Sequence, residues 1–300
     1  MPQTDKGISI NLPPSGAHIL TRGYIFVSDR SIMMPMSRSS GELFNAALVR
    51  PPSREFPRCV STHPLKDTVD LSLALKQHED YVSALREEGI DVKKLPSLDG
   101  FPDSVFIQDT ALARASNRKA LISRFGEPSR RGEEASVREF LGELGFTAVN
   151  VEAPATLEGG DIMITDLGLA FVGLTTRTNE GGAEALRSFL GQEVVSVPTE
   201  RVFHLLSAVN YVGNRKVVIV PELVDSKYFS GFRQIDVPLE EAYAANVLYL
   251  GENRILMPQG YPRTAERLRR EGYRIVEVDV SEFRKCDGGV TCLSLPLFLI

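Results

Sequence analysis

Cysteine is scarce. The 300 residues hold three, Cys59, Cys286 and Cys292, an odd number with no Cys-x-x-Cys spacing, and the four histidines are not clustered. That pattern excludes a structural zinc site and argues against a disulfide framework, so a reducing cytosol is the expected setting. Long apolar runs are missing as well. Nothing approaches the roughly 20 uncharged residues that cross a bilayer, the N-terminus shows no signal-peptide pattern, and no Asn-x-Ser/Thr acceptor occurs. The expectation is a soluble, cytoplasmic protein. A basic stripe is also absent: 34 Lys and Arg against 39 Asp and Glu give a net charge of -5, with the signs mixed along the chain. Nucleic acid and membrane surfaces are therefore set aside, and a small molecule is the expected partner. No cofactor or metal motif is present, and a homo-oligomer is left open.

An apolar content of 43% suffices for a substantial core. Residues 1–41, broken by Pro13-Pro14, Pro35 and the run from Ser37 to Gly41, read as a poorly defined extension, and 42–300 as a single catalytic domain. From Leu43 onward one pattern recurs: two short strands joined by a turn, an amphipathic helix, then a further strand ending in polar residues. Hairpins pair Thr110–Ala115 with Lys119–Ser123, Ile162–Thr165 with Ala170–Gly173, and Val247–Leu250 with Ile255–Met257, with turns at Asn117, Gly168 and Gly251-Glu252-Asn253. Helices are expected near 71–88, 131–144, 180–190 and 263–271. Five such ββαβ units predict a ring, an α/β fold of five pseudo-symmetric blades. Asp109, Glu158, His204, Asn246 and Cys292 close successive units at spacings of 42 to 49 residues. Equivalent positions in a radial repeat face one axis, so these residues are expected to converge.

Their chemistry is coherent. Cys292 follows the Gly288-Gly289 bend and opens an apolar run, a setting for a nucleophile and equally for a small buried hydrophobe. His204 could carry protons, although its neighbours Val202, Phe203, Leu205 and Leu206 would also suit a core histidine. Glu158 stands before Gly159-Gly160, where the backbone can bend tightly beside a ligand. Asp103, Phe106 and Asp109 are expected on one strand face, with Val105 and Ile107 turned to the other, forming a cradle for a planar cation.

Six ordered motifs then carry a resemblance: 101–110 (FPDSVFIQDT), 121–131 (LISRFGEPSRR), 157–161 (LEGGD), 171–184 (FVGLTTRTNEGGAE), 204–207 (HLLS) and 287–292 (DGGVTC). Together, across about residues 46–295, the chain resembles the dimethylarginine dimethylaminohydrolases of the guanidine-modifying superfamily. The resemblance implies the five-bladed, pentein-type α/β propeller and hydrolysis of an N-methylated arginine to citrulline and an alkylamine through a cysteine-bound thiouronium, without a cofactor. It implies Cys292 as nucleophile, His204 as general acid and base, and Glu158 as the carboxylate that orients His204 or the guanidinium. Asp109 would hold the guanidinium, Phe106 would pack on the substrate, Asp103 would bind the α-amino group, and Arg124 and Arg177 the α-carboxylate. The loop from about Ser53 to His63 would be a lid. Gln108 replaces a glutamate common in the family, which removes a charge expected beside the guanidinium. Related deiminases and amidinotransferases carry an aspartate two residues after the histidine; Leu206 stands there instead. Those activities, on another guanidino compound, and a non-catalytic propeller that only binds, are the alternatives.

Overall fold

The structure, a computed structural model, describes residues 42–300; the expected extension at 1–41 lies outside the described residues. The first unit contains β1 (Phe44–Val49), α1 (Leu71–Glu87) and β2 (Asp91–Lys94). The second runs through β3 (Ala111–Arg114), β4 (Lys119–Ile122), α2 (Glu133–Glu143) and β5 (Thr147–Asn150). The third holds β6 (Ile162–Ile164), β7 (Leu169–Leu174), α3 (Glu180–Leu190) and β8 (Glu193–Pro198), and the fourth β9 (Val209–Tyr211), β10 (Lys216–Ile219) and β11 (Arg233–Asp236). The fifth comprises β12 (Leu248–Gly251), β13 (Arg254–Pro258), α4 (Pro262–Arg270) and β14 (Arg274–Val278), and is followed by α5 (Ser281–Arg284) and β15 (Ser294–Phe298).

Every blade repeats one pairing scheme, an antiparallel pair followed by a strand parallel to its second member. The first blade obtains its opening strand from the far end of the chain: β15 pairs antiparallel with β1, which pairs parallel with β2. The ring is thus closed by the C-terminus. β15 also runs parallel to β3, with Leu297 opposite Ala113, which merges the first two blades into one six-stranded sheet. The five-bladed α/β propeller expected from the spacing is the observed architecture, with one local variation. The fourth blade crosses from β10 to β11 through a 3-10 turn at Ser226–Phe229 instead of an α-helix.

Local chemistry accounts for the crossovers. Asp70 caps α1, its carboxylate accepting from the amides of Ser72 (2.8 Å) and Leu73 (3.1 Å), a contact worth about 1 kcal/mol. The helix then buries Tyr81, Val82 and Leu85 against the blade. Leu85 is fully buried, so truncation to alanine should cost about 2–5 kcal/mol. Asn179 caps α3 through the amide of Gly182, and Gly191 ends it at φ +61°, a left-handed conformation that glycine adopts without a Cβ clash.

The feature that positions the site is a short turn ahead of the first strand of each blade. Ile107–Thr110 precedes β3, Gly159–Asp161 precedes β6, Leu205–Ser207 precedes β9 and Leu239–Ala245 precedes β12. Before β15 a turn brings the amide of Cys292 to the carbonyl of Gly289 at 3.2 Å. Asp109, Glu158, His204, Asn246 and Cys292 each sit in or beside this turn. The expected strand at 103–109 is corrected: the amide of Phe106 bonds the Asp103 carbonyl (2.9 Å) and the amide of Asp109 that of Phe106 (3.4 Å). Asp103, Phe106 and Asp109 recur every three residues, so the tight turns bring them round in register where a strand would have alternated them.

Candidate active site

Cys292 and His204 line the same cavity, about 280 Å³, with Gly160, Phe203, Leu206, Asn246 and Thr291. His204 is buried, and its Nε2 lies 2.9 Å from Glu158 Oε2, while Nδ1 is 4.0 Å from Asp109 Oδ1. Glu158 is fixed in turn, since its other oxygen accepts from the amides of Gly126 (3.0 Å) and Glu127 (3.3 Å). Asp109 Oδ1 accepts from the amide of Gly160 at 2.9 Å. A Cβ on Gly160 would stand 2.5 Å from His204 Nδ1, so the imidazole reaches the carboxylates only because this residue has no side chain.

These contacts set the protonation states. Burial alone would lower the pKa of His204, but the carboxylates of Asp109, Asp161 and Glu158 outweigh it and raise it to about 9. Burial, reinforced by the negative charge of Asp109, pushes the Cys292 thiol up to about 11. Burial also opposes ionisation of Asp109, yet His204 and Arg130 hold its carboxyl below the ordinary range. Burial raises Asp103. At neutral pH the empty site therefore carries an imidazolium bracketed by carboxylates, and a protonated thiol.

The turn that carries Cys292 is held from three sides. Tyr81 donates to the carbonyl of Val290 (2.9 Å), Tyr243 donates to that of Gly288 (2.6 Å), and Asn246 exchanges two hydrogen bonds of 3.0 Å with Thr291. Asp161 was not expected in the site; it accepts from the amide of Leu205 (2.9 Å) and the hydroxyl of Thr175 (2.8 Å), and its pKa rises with burial to about 6. Arg130 was also missed. Its guanidinium pairs with Asp109 at 2.7 Å and with Glu133 at 2.8 Å, and donates to the carbonyls of Asp103 and Phe106. It thereby organises the whole 103–109 turn. Of the two adjacent arginines at 130 and 131, only the inward direction of the first distinguishes it, and a one-residue change of face in irregular backbone is not encoded by periodicity.

The remaining expected residues divide. Asp103 is buried and accepts from the amide of Val60 at 3.1 Å, which ties it to the loop expected to be a lid. Phe106 packs edge-on against Phe56 and Phe283 beside Gly288, where a Cβ would overlap its ring. Arg177 is 7% exposed, lies over the ring of Phe203 at 4.1 Å and approaches Glu158 at 3.7 Å, with Nη1 free of hydrogen bonds. None of Asp103, Phe106, Arg177 and Arg124 lines this cavity; the Nη1 of Arg124 donates to the carbonyl of Ala155, and its backbone bridges Leu157. Gln108 lines a second, smaller cavity of about 50 Å³ with Asn210, Ile162 and Phe298, and its amide oxygen has no partner. Its place in sequence beside Asp109 does not carry its side chain to the cavity of Cys292, because neighbours in a 3-10 turn point in different directions.

The cysteine expectation is corrected. Cys59 and Cys286 form a disulfide with Cα atoms 5.8 Å apart, which leaves Cys292 as the free cysteine. Residues 227 apart in sequence meet because β15 closes the ring beside β1. A spacing rule has no access to that closure, and the argument from cysteine usage to a reducing compartment falls with it. Among the described residues no helix is long and apolar enough to cross a membrane.

The family described as N,N dimethylarginine dimethylhydrolase, eukaryotic, matches residues 61–299. An uncharacterised protein of Aeropyrum pernix is 43% identical over 86% of this chain and 97% of its own. The N(G),N(G)-dimethylarginine dimethylaminohydrolase of Pseudomonas aeruginosa is 38% identical over 84% of this chain and 99% of its own. A crystal structure of the Pseudomonas enzyme, a mutant complexed with citrulline, superposes with a TM-score of 0.80 at 37% identity, covering 85% of this chain and 99% of that one. By both sequence and architecture, the chain belongs to the dimethylarginine dimethylaminohydrolase family.

Proposed function

We propose that the protein hydrolyses the substituted guanidinium of an N-methylated arginine, releasing citrulline and an alkylamine. The observation that carries this reading is one cavity shared by a free cysteine and a histidine whose imidazolium is bracketed by Asp109 and Glu158. The guanidinium is a planar cation, and Asp109, Glu158 and Asp161 supply the negative charge that makes its arrival favourable.

Cys292 begins as a thiol, and a cation placed beside it stabilises its thiolate, with the proton lost to solvent. The sulfur attacks the guanidinium carbon. His204, already protonated, gives its Nε2 or Nδ1 proton to the departing amine as the C–N bond breaks. What remains is an amidino group bonded to Cys292 sulfur. Neutral His204 then takes a proton from water, whose oxygen adds to the same carbon; the C–S bond breaks and citrulline leaves. Glu158 orients the imidazole throughout.

Asp103 is the proposed partner of the α-amino group. Arg177, with an unoccupied Nη1, suits the α-carboxylate better than Arg124, whose guanidinium serves the carbonyl of Ala155. No step calls for a cofactor or metal. We assign the activity to a small-molecule substrate, with no nucleic acid or membrane involved. The test is incubation of the purified protein with monomethylarginine, asymmetric dimethylarginine, arginine and agmatine, with citrulline, amine and ammonia measured. Turnover of methylarginines that is lost in Cys292→Ser and kept in Cys286→Ser supports the reading; efficient turnover of agmatine, or none of any methylarginine, refutes it.

A further inference from the structure

We infer that Cys59 and Cys286 form a reversible dithiol–disulfide site that fastens the lid to the nucleophile-bearing segment and sets how tightly the site holds its substrate; the inference deepens the hydrolase reading and rests on it. The disulfide does not stand alone. Two consecutive residues next to the nucleophile turn grip three residues of the lid: Cys286 bonds Cys59, and the Asp287 carboxylate accepts from the hydroxyl of Ser61 (2.8 Å) and the amide of Thr62 (3.3 Å). The Lys285 carbonyl, 3.1 Å away, is an alternative acceptor for the same Ser61 hydroxyl proton, and Lys285 Nζ donates to the carbonyl of Thr68 (2.9 Å). On its inner side the lid gives the amide of Val60 to the Asp103 carboxylate, and His63 reaches the wall of the Cys292 cavity.

Of these attachments only one is covalent. The hydrogen bonds around Ser61, Thr62 and Lys285 involve partly exposed groups that exchange with water at a net cost of about 0.5–1.5 kcal/mol each. The lid rests on short 3-10 turns at Phe56–Arg58 and Lys66–Thr68 and has no strand pairing of its own. Cutting the strap leaves the buried ring of Phe56 to anchor the base of the lid and only these weak contacts beyond it to hold Val60 against Asp103. The disulfide form is pre-organised for the amino-acid end of the substrate, and the dithiol form must order the lid each time substrate binds.

The chemistry needs a dithiol reductant. One of its thiolates attacks a sulfur of the Cys59–Cys286 bond and forms a mixed disulfide; its second thiol resolves that bond and leaves as a cyclic disulfide. Two electrons and two protons have then passed to Cys59 and Cys286. Both cysteines are buried, at 5% and 3% exposure, so attack requires the hydrogen-bonded part of the lid to lift first. A bound ligand that holds the lid down should therefore slow reduction, by the same linkage that makes the strap favour binding.

The test uses the full chain purified without reductant. Thiol titration under denaturing conditions should find the single thiol of Cys292 before dithiothreitol and three after it. Limited proteolysis between residues 53 and 69 should accelerate by about tenfold on reduction, and citrulline should slow reduction of the native protein. In kinetics, reduction should raise KM for methylarginine by about five- to tenfold and leave kcat within about threefold. Cys59→Ser and Cys286→Ser should reproduce the high KM and become insensitive to dithiothreitol. Both variants retain Cys292, which separates the strap from any effect of the reductant on the nucleophile. Three titratable thiols in the unreduced protein, or equal proteolysis and KM in both redox states, overturn the inference. Thiol count and proteolysis involve no turnover, so a failure of the hydrolase reading would leave them decisive.

Discussion

Asp109→Asn should move both protonation equilibria of the site downward. The Asp109 carboxylate is the largest of the influences that raise His204 and the leading charge that raises Cys292. Its Oδ1 lies 4.0 Å from His204 Nδ1. At an effective dielectric of 20 a pair at that distance gains about 4 kcal/mol, or roughly three pKa units, which is an upper bound. Arg130, 2.7 Å from the other oxygen, offsets part of it, so a fall of about one to two units is expected for His204. The freed Arg130 charge acts in the same direction on both groups. In the wild type, catalysis by a thiolate and an imidazolium whose pKa values are about 11 and about 9 requires the minor protonation form. The kcat/KM profile should be a bell with limbs near those values, since it reports the free enzyme. In the variant the whole bell should slide to lower pH, with KM for methylarginine raised about ten- to a hundredfold as the cation loses a partner. Iodoacetamide modification of Cys292 and the NMR titration of the His204 ring follow the two groups without turnover. A variant whose limbs stay in place, or whose Cys292 becomes harder to ionise, would refute the assignment of Asp109 as the shared electrostatic control.

Three further outcomes follow from the same geometry. His204 titrates near 9 in the folded chain against 6.5 ordinarily, so it contributes on the order of 3 kcal/mol of stability that is fully present below pH 6.5 and lost as pH rises through 9; denaturant unfolding of wild type and His204→Gln across that window should converge at the alkaline end. Reduction of the Cys59–Cys286 bridge opens a closure spanning 227 residues, for which chain entropy predicts a loss of about 5 kcal/mol, measurable as a lower Tm with dithiothreitol and absent in Cys59→Ser. Gln108→Glu should leave KM for methylarginine within about twofold, because the side chain lines the other cavity, while burying a carboxylate there should cost about 1–3 kcal/mol of stability; a markedly lower KM would show that residue 108 addresses the substrate.

The parts of the site readable from sequence are those fixed by the repeat. A strand–turn–strand–helix–strand pattern that returns every 42 to 49 residues places Asp109, Glu158, His204, Asn246 and Cys292 at the same turn of each blade, and the axis does the rest. The helix expected at 180–190 is α3, because Asn179 and Gly191 mark its ends by mechanisms that local sequence carries. What escaped notice depends on direction and on closure. Whether Arg130 or Arg131 turns inward, and whether Gln108 faces the front or the rear cavity, is decided by turns with no hydrophobic alternation to reveal them. The strand reading of 103–109 failed because a spacing of three sets Phe106 on the opposite face of a strand from Asp103 and Asp109, and only tight turns bring all three to one side. The disulfide required knowing that β15 completes the first blade, a pairing between the two ends of the described chain that no local signal announces.

The charges around His204 explain why a cation can enter so enclosed a place. Asp109, Glu158 and Asp161 are buried, and their counter-charges are His204, Arg130 and the more distant Arg177. Arg130 pairs with both Asp109 and Glu133, and because burial drives the Glu133 pKa up to about 7, Glu133 is partly neutral at pH 7 and leaves most of the Arg130 charge to Asp109. In the proposed reaction, a guanidinium placed beside Asp109 and Glu158 adds a positive charge that favours the Cys292 thiolate. A neutral substrate of the same shape supplies neither effect. Under the proposed mechanism one interaction both selects the substrate and activates Cys292, which burial otherwise holds as a thiol.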